Sequence, residues 1–316
     1  MSSKKCTLIF ASNHLRLFNY YQYLMNKKKF KLLVLPSVNT IQEVVNQFPF
    51  PIELTKGDFK DITIAFQDKK VTVLHKGVDL REFSFIWLCS SWRTRDIAYA
   101  IQLYLNQENI PSTRVEKGTS KLTDHMALSL IGVSSPNTLF IGRKNIKTHL
   151  AQIKNVCGYP LVIKDIKGSR GISSAKVDSE KDLISELSAL PKHKKYIFQQ
   201  YIPNNYDWGI MVANGVVVSG EKSYPRTSDF RNNAANGAQE VFIDLINIPS
   251  HIKEMALKNS NALDLAWSRS DIIIDKKDQT PYVMEVNRFP GVTSATSEVT
   301  GAYEFLSSQI TPLKKK

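Results

Sequence analysis

The chain has 316 residues, 42% of them hydrophobic, and its 42 Lys and Arg against 29 Asp and Glu give a formal net charge of +13. A chain of this length and apolar content can bury a substantial core, which excludes a disordered or collagen-like protein and predicts two or three domains. The three cysteines, Cys6, Cys89 and Cys157, are dispersed, so neither a disulfide framework nor a zinc ribbon is expected.

The sequence carries no pattern typical of a signal peptide or a membrane helix. The apolar run after Lys4 and Lys5 spans about five residues, whereas the core of a signal peptide needs roughly 7–15. No run approaches the ~20 apolar residues that cross a membrane. These features predict a soluble, cytoplasmic protein with no membrane partner.

The positive charge is unevenly distributed. Residues 1–200 hold 30 basic and 16 acidic side chains, whereas residues 201–316 hold 12 and 13. A uniformly basic coat would favour nucleic acid as a partner. This division instead indicates a cationic half facing a carboxylate-bearing half, which suits a site that holds both phosphates and a metal. Short lysine runs such as 27–29 and 314–316 are more typical of a solvated surface.

Hydrophobic patterning predicts alternating strands and helices in the first third of the chain. The expected elements are a strand at 7–11, a helix at 14–27, a strand at 32–35, a hairpin of 62–66 and 71–74, a strand at 83–89, a helix at 96–106 and a return to the sheet at 109–111. They predict an α/β domain over residues 1–115. No glycine fingerprint follows the first strand, so a dinucleotide is not expected there.

The pattern continues through the middle of the chain. The expected elements are a helix ending near Ile131, a strand after 136–138, a helix at 145–156, a strand at 159–164, a strand at 175–177 and a strand at 196–200. The strand that ends on Lys164 leads into a loop with Gly168 and Gly171. Such a loop can close its N–H groups on phosphate oxygens, although glycine turns between strands are common.

The last third of the chain contains a hairpin on Asn214-Gly215 and then a second pair of strands over 270–274 and 282–287. Strand alternation places Glu285 and Asn287 on one face, with Asp271 available on the partner strand. Two carboxylates and an amide are hard oxygen ligands of the kind that Mg²⁺ shares with nucleotide phosphates. The alternative interpretation is a solvated strand face.

Taken together, these segments resemble the ATP-grasp superfamily, and within it the RimK-like carboxylate–amine ligases. The resemblance extends from about Lys117 to Gly291 and rests on the joint order of several motifs. These are Lys164 with Gly168-Ser169-x-Gly171, the Gln200-Tyr201-Ile202 segment, Asp207 ahead of the Asn-Gly hairpin, Phe230-Arg231-Asn232-Asn233 with Gly237, Asp271, and Glu285-Val286-Asn287 before Pro290-Gly291.

The resemblance implies an α/β architecture with α+β lobes, namely an ATP-grasp fold behind an N-terminal Rossmann-like pre-ATP-grasp domain. Residues 1–115 would form that substrate-selecting domain. Residues 116–200 would form the central lid subdomain, and residues 201–316 the C-terminal subdomain with the metal site.

The resemblance also implies roles for particular residues. Lys121 and Lys164 would contact phosphates, and the loop of Gly168, Ser169 and Gly171 would close as a lid. The implied adenine frame is Gln199, Gln200, Tyr201 and Ile202, with Asp207 on the ribose. Arg231 and Asn233 would steady the γ-phosphate or acyl phosphate, with Arg226 as a further candidate. The ligands of one or two Mg²⁺ ions, or of Mn²⁺ in their place, would be Asp271, Glu285 and Asn287.

Two positions depart from the family pattern. The arginine of the family's D-x-R is Gly209 here, which removes a group for binding the carboxylate substrate, and a glycine of the lid loop is Ser173. The proposed metal ligands are unaffected.

The resulting hypothesis is an ATP-dependent ligase that forms an amide or peptide bond through an acyl phosphate. Its partners would be an amine and an acidic amino acid, peptide or protein, and a homo-oligomer is compatible with the sequence. The alternative is a nucleotide-binding or nucleic-acid-associated module that keeps the fold and has little turnover.

Overall fold

A computed structural model describes residues 29–116, 120–168, 174–225 and 237–314. Several predicted features lie outside these ranges and are not discussed structurally. They are the strand at 7–11, the helix at 14–27, Ser169, Gly171 and Ser173 of the glycine loop, and Arg226, Arg231 and Asn233.

The N-terminal part contains two small sheets. Its elements are β1 (Phe30–Leu35), α1 (Ile41–Val45), β2 (Ile52–Lys56), β3 (Ile62–Gln67), β4 (Lys70–His75), β5 (Val78–Asp79), β6 (Phe85–Leu88) and α2 (Arg95–Gln107). Strands β2, β1 and β6 form a parallel sheet in that order, and β3, β4 and β5 form an antiparallel sheet. The predicted hairpin, the strands at 32–35 and 83–89 and the helix at 96–106 are confirmed, while a Rossmann-like topology stays a prediction.

The central lobe, residues 120–200, has its own antiparallel sheet. Its elements are α3 (Lys121–Leu130), β7 (Thr138–Phe140), α4 (Leu150–Cys157), β8 (Leu161–Asp165), β9 (Ser174–Val177), α5 (Glu180–Ala189) and β10 (Tyr196–Gln200). The strand order is β7-β10-β8-β9. A core that includes Ile153, Leu161, Ile163 and Phe198 holds the helices on this sheet.

The helix predicted at 145–156 is wrong in its first turn. Residues Arg143–Thr148 form a 3₁₀ helix, and the α-helix begins only at Leu150. The carbonyl of Asn145 accepts from Thr148 Oγ1 at 2.9 Å and lies 2.7 Å from His149 Nδ1. These side chains compete for the carbonyl that would continue an α-helix.

The C-terminal part is a five-stranded antiparallel sheet with two helices. Its elements are β11 (Asp207–Ala213), β12 (Val216–Tyr224), β13 (Gln239–Phe242), α6 (Ser250–Ala262), β14 (Trp267–Ile274), β15 (Pro281–Asn287) and α7 (Ser297–Lys314). The strand order is β13-β12-β11-β14-β15. Asn214 and Gly215 both have positive φ, at 48° and 76°, as a tight Asn-Gly hairpin requires.

One hydrophobic core joins the N-terminal part to the C-terminal sheet. Trp87 on β6 lies 5.8 Å, centroid to centroid, from Trp267 on β14, and Phe305 of α7 stacks on Trp267 at 5.2 Å. The same cluster includes Leu32 of β1 and Met211 of β11. The predicted N-terminal domain, which ends at residue 115, therefore shares its core with the C-terminal sheet. The division into three domains stays a prediction. No helix in the described ranges is long and apolar enough to cross a membrane.

Candidate active site

Three acidic side chains and Gly209 are aligned across four strands of the C-terminal sheet. Gly209 pairs with Glu221 on one side and with Asp271 on the other, and Asp271 pairs with Glu285. Directly paired residues in an antiparallel sheet share a face, and so do residues two apart along one strand. Asn287 therefore joins this face, as the alternation of the sequence predicts.

Glu285 is held by two donors from other parts of the chain. Its Oε1 lies 2.5 Å from Lys121 Nζ, at the start of α3, and accepts from Trp92 Nε1 at 3.0 Å, just beyond β6. Burial acts to raise the pKa of Glu285, but Lys121, the Trp92 hydrogen bond and the Lys164 charge together hold that pKa below its ordinary value. Glu285 is therefore ionised at neutral pH.

Asp271 lies between Arg269 and Asn287. Its Oδ2 accepts from Asn287 Nδ2 at 2.9 Å, and its Oδ1 lies 3.2 Å from Arg269 Nε. That second contact is not aligned as a hydrogen bond, so Oδ1 is buried without a hydrogen-bond partner in the described part of the chain. Burial raises the pKa of Asp271, and the Arg269 charge opposes that rise.

These residues fit a divalent cation shared with phosphate. A buried carboxylate oxygen without a hydrogen-bond partner favours a cation beside it, and among the described residues Asp271 Oδ1 has the unaligned Arg269 contact but no hydrogen bond. Within the described ranges no three His, Cys, Asp or Glu side chains cluster closely enough to hold a metal. Asp271, Glu285 and the Asn287 amide oxygen therefore supply only part of a coordination shell. Mg²⁺ commonly completes such a shell with phosphate oxygens and water.

Lys164 is positioned by Gln199 on the neighbouring strand. Its Nζ donates to Gln199 Oε1 at 2.6 Å, while Gln199 Nε2 donates to Thr138 Oγ1 at 2.9 Å and lies 3.2 Å from His125 Nε2. Burial, helped by the charge of Lys121, lowers the pKa of Lys164 to about 8. Burial also lowers the pKa of His125 to about 4, so its neutral ring accepts from the amide.

The structure places the side chain of Gln199 against Lys164, where it is fully buried. Adenine framing stays a prediction for Gln199 and for Gln200, Tyr201 and Ile202, which leave the end of β10. The backbone N–H groups of Gln200 and Tyr201 donate to Asn137 and Pro160. These bonds hold the start of that segment in place.

Two further predicted site residues occupy constrained places. A Cβ on Gly168 would lie 3.0 Å from the Asp165 Cβ and 3.2 Å from its carbonyl oxygen, so the chain is tight where it enters the glycine loop. Asp207 begins β11 and has a buried Oδ1 with no hydrogen-bond partner among the described residues. Burial raises its pKa well above the usual range, and the nearby Asp271 adds to this.

Residues that the motifs did not indicate complete the site. Arg288 donates two hydrogen bonds to Asp124, at 2.6 and 2.9 Å, and pairs with Glu116. Arg95 pairs with the same Glu116. These buried pairs fix α2 and α3 against the end of β15, which carries Glu285. Trp92 and Arg288 were missed, although both follow directly after strands of a sheet, where site residues concentrate.

Lys121, Lys164 and two carboxylates thus meet between the central lobe and the C-terminal sheet, as in an ATP-grasp protein. The family model described as the RimK-like ATP-grasp domain matches residues 118–307. That match covers more than half of the chain, so the chain belongs to the RimK-like ATP-grasp family. The resemblance inferred from the sequence and the ATP-grasp fold class are confirmed.

The similar proteins include probable alpha-L-glutamate ligases. The probable alpha-L-glutamate ligase of Psychromonas ingrahamii is 29% identical over 208 residues, which are 63% of this chain and 66% of that protein. A similar protein of Pseudoalteromonas atlantica, probable alpha-L-glutamate ligase 2, is 28% identical over 57% of this chain and 59% of its own length. The chain thus spans about two thirds or less of the length of these curated relatives.

Solved structures show the same fold at low sequence identity. D-alanine–D-alanine ligase from Bacillus anthracis, complexed with ATP, superposes with a TM-score of 0.63 at 18% identity, over 90% of this chain and 99% of that chain. The ATP-grasp ligase PsnB, complexed with a phosphomimetic variant of its minimal precursor, Mg and ADP, gives 0.58 at 16% identity, over 89% and 98%.

Proposed function

We propose that the protein is an ATP- and Mg²⁺-dependent ligase that joins a carboxylate to an amine. Family membership and the glutamate ligases among its relatives support this function. The observation that carries it is the meeting of Lys121 and Glu285 at 2.5 Å beside Asp271, with Lys164 close enough for their charges to act on its pKa. Cations and oxygen ligands at one place are the groups that phosphoryl transfer needs.

The proposed reaction has two steps and needs no nucleophilic side chain. An oxygen of the substrate carboxylate attacks the γ-phosphorus, the bond to the ADP oxygen breaks, and an acyl phosphate forms. The amine nitrogen then attacks the acyl carbon, phosphate leaves, and the amine gives up a proton. The charge that develops on the phosphoryl oxygens dominates the barrier, so fixed cations lower it.

In this proposal Asp271, Glu285 and Asn287 hold Mg²⁺, which supplies charge neutralisation to the phosphates when bound. Lys164 is directed by Gln199 and meets the phosphates as a partly buried ammonium. Lys121 neutralises Glu285 in the nucleotide-free site and has phosphate oxygens as its second set of partners. Glu285 and the nucleotide therefore share one lysine.

The substrate class is proposed from charge and from the relatives. An excess of +14 in residues 1–200 favours an acidic acceptor by a steering effect that salt weakens. The names of the relatives favour glutamate as the amino acid that is joined. The acceptor would be an acidic amino acid, or an acidic peptide or protein. A cytoplasmic location and a homo-oligomer remain predictions of the same proposal.

The function is tested by ADP release from the purified protein with ATP, Mg²⁺ and glutamate. The acceptors are glutamate itself, acidic peptides and matched neutral peptides. We expect ADP release and a mass increase on an acidic acceptor, with lower rates at high salt. ATP binding without ADP release on any acceptor would overturn the ligase and favour the nucleotide-binding alternative.

A further inference from the structure

The acidic row on the C-terminal sheet has a gap at Gly209. The neighbours of Gly209 in the row are Glu221 on β12 and Asp271 on β14. A side chain at position 209 would stand between the two carboxylates, because directly paired Cβ atoms lie only ~5 Å apart. The glycine leaves that space open.

The guanidinium of Arg269 fills this space from the neighbouring strand. A Cβ built on Gly209 would lie 2.5 Å from Arg269 Nε and 2.6 Å from its Cζ. Real Cβ atoms do not approach other atoms so closely, and the obstacle is the rigid planar end of the side chain. Any residue larger than glycine at position 209 would therefore displace Arg269.

Arg269 bridges three carboxylates, one on its own strand and two from β12 and α7. Its Nη2 pairs with Glu221, its Nε lies 3.2 Å from Asp271 Oδ1, and its Nη1 lies 3.9 Å from Glu298 Oε1 at the start of α7. The side chains of Glu221 and Glu298 are only 1% and 2% exposed. Buried carboxylates of this kind require a cation, because neither can be solvated in place.

We propose that Arg269 is the positioning residue for the metal carboxylate Asp271, and that position 209 is glycine in order to admit it. Arg269 of β14 thus occupies the space in which the family pattern places an arginine from position 209. One arm of the guanidinium is anchored on Glu221, and its charge lies 3.2 Å from the Asp271 oxygen that Asn287 does not hold. This inference rests on the metal site in the proposed function.

The direction in which Mg²⁺ affinity changes when Arg269 is removed separates positioning from a purely electrostatic role. A cation beside a metal site repels the metal, so loss of Arg269 would by charge alone tighten the binding of Mg²⁺. Loss of a group that orients a metal ligand weakens metal binding, by about 10–100-fold in other sites. Positioning therefore predicts weaker binding of the Mg²⁺-nucleotide complex when Arg269 is removed.

The test measures the affinity of the protein for a non-hydrolysable ATP analogue with and without Mg²⁺, by calorimetry, together with thermal unfolding. For R269G we expect about tenfold weaker binding of the Mg²⁺ complex and less than about twofold change without metal. R269K keeps the charge without the bridging plane, and we expect a loss in the same direction. Unchanged or tighter Mg²⁺-dependent binding in these variants would overturn the proposal.

The exchange variant G209R/R269G makes the test specific to this space. G209R alone places two arginines in one gap, so it should weaken Mg²⁺-dependent binding. The double variant returns a single guanidinium to the gap and should recover much of the affinity lost by R269G. If the affinity losses of G209R and R269G simply add in the double variant, the proposal is contradicted. Non-additive effects are expected only for groups that occupy the same space.

Two controls separate this inference from the proposed metal site. Arg143 donates to the carbonyls of Leu187, Leu190 and Pro191 in the central lobe, so R143G should lower stability and leave Mg²⁺-dependent affinity unchanged. D271N tests the metal site itself. If D271N has no effect, the metal site and this inference both fall, whereas loss in D271N without loss in R269G or R269K removes this inference alone.

Discussion

Trp92 Nε1 donates a hydrogen bond of 3.0 Å to Glu285 Oε1, across 193 positions of the chain. The bond brings a residue of the N-terminal part onto a carboxylate of the candidate metal site. Lys121 Nζ approaches the same oxygen at 2.5 Å. Glu285 Oε1 is thus oriented from two sides.

The first prediction concerns this indole donor. W92F keeps an aromatic ring but removes the N–H, and hydrogen bonds to charged groups contribute about 1.5–3 kcal/mol. We expect roughly a tenfold higher Mg²⁺ concentration for half-maximal ADP release. W87F is the matched control, because the buried Trp87 Nε1 has no hydrogen-bond partner among the described residues. An equal shift in W87F would show that packing, and not the bond to Glu285, is responsible.

The second prediction concerns the metal ligands. E285A/N287A should abolish Mg²⁺-dependent ADP release and leave the unfolding temperature nearly unchanged, since both residues are only partly buried. D278A, in the turn of the same hairpin, should retain activity because Asp278 accepts a hydrogen bond from the backbone N–H of Thr280 within the turn. ADP release and thermal unfolding are measured on all three proteins. Full activity in the double variant would refute the metal assignment.

The third prediction follows from the pKa of Lys164, which burial lowers to about 8. Phosphate attracts only the protonated lysine, so nucleotide binding should raise that pKa. The affinity for ATP should therefore be greatest below pH 8 and fall as the pH rises above it. Calorimetric titrations from pH 7 to about 9.5 measure this.

K164M provides the control for the pH series. The variant should bind ATP much more weakly, and its affinity should lose the decline above pH 8. If K164M shows the same decline as the unmodified protein, another group is responsible. If its affinity for ATP at pH 7 is unchanged, Lys164 has no part in phosphate binding.

The fourth prediction distinguishes two roles for Gln199. If Gln199 acts through Lys164, Q199L should weaken the binding of ATP and of GTP equally, by about tenfold, because a charge-assisted hydrogen bond is lost. A residue that frames adenine would instead change the ratio of the two affinities. T138V removes one hydrogen bond from the same amide and should give a smaller loss in the same direction. A change in the ATP to GTP ratio in Q199L would support the adenine role.

Local patterning predicted the strands and the residues they align. The alternation along β15 placed Glu285 with Asn287, and the run that ends at Lys164 placed that lysine at a strand end; both lie there. Hydrophobic periodicity and turn-forming residues act over a few positions, so they can be recognised in a single sequence. The late start of α4 was not, because side-chain competition at Asn145 decides it.

Contacts between distant segments could not be derived in this way. Trp92 reaches Glu285 only because the N-terminal part packs on the C-terminal sheet. The hydrophobic periodicity of the sequence does not predict that packing. Gly209 was recognised as a missing arginine, but its replacement by Arg269 depends on the pairing of β11 with β14. Register between strands is set by the whole sheet.

The ring cluster of Trp87, Trp267 and Phe305 limits which parts of the molecule can move relative to one another. Rotating the N-terminal part away from the C-terminal sheet would expose these rings to water, at ~25 cal/mol for each Å² of apolar surface. The sheet of β7 to β10 with α4 and α5 has a separate core, so it can turn as a unit without that cost, whereas Leu128 of α3 packs with Val283 and Val286 of β15 and stays with the C-terminal sheet. We therefore expect any opening of the site to move residues 138–200 against a base that the aromatic cluster holds rigid.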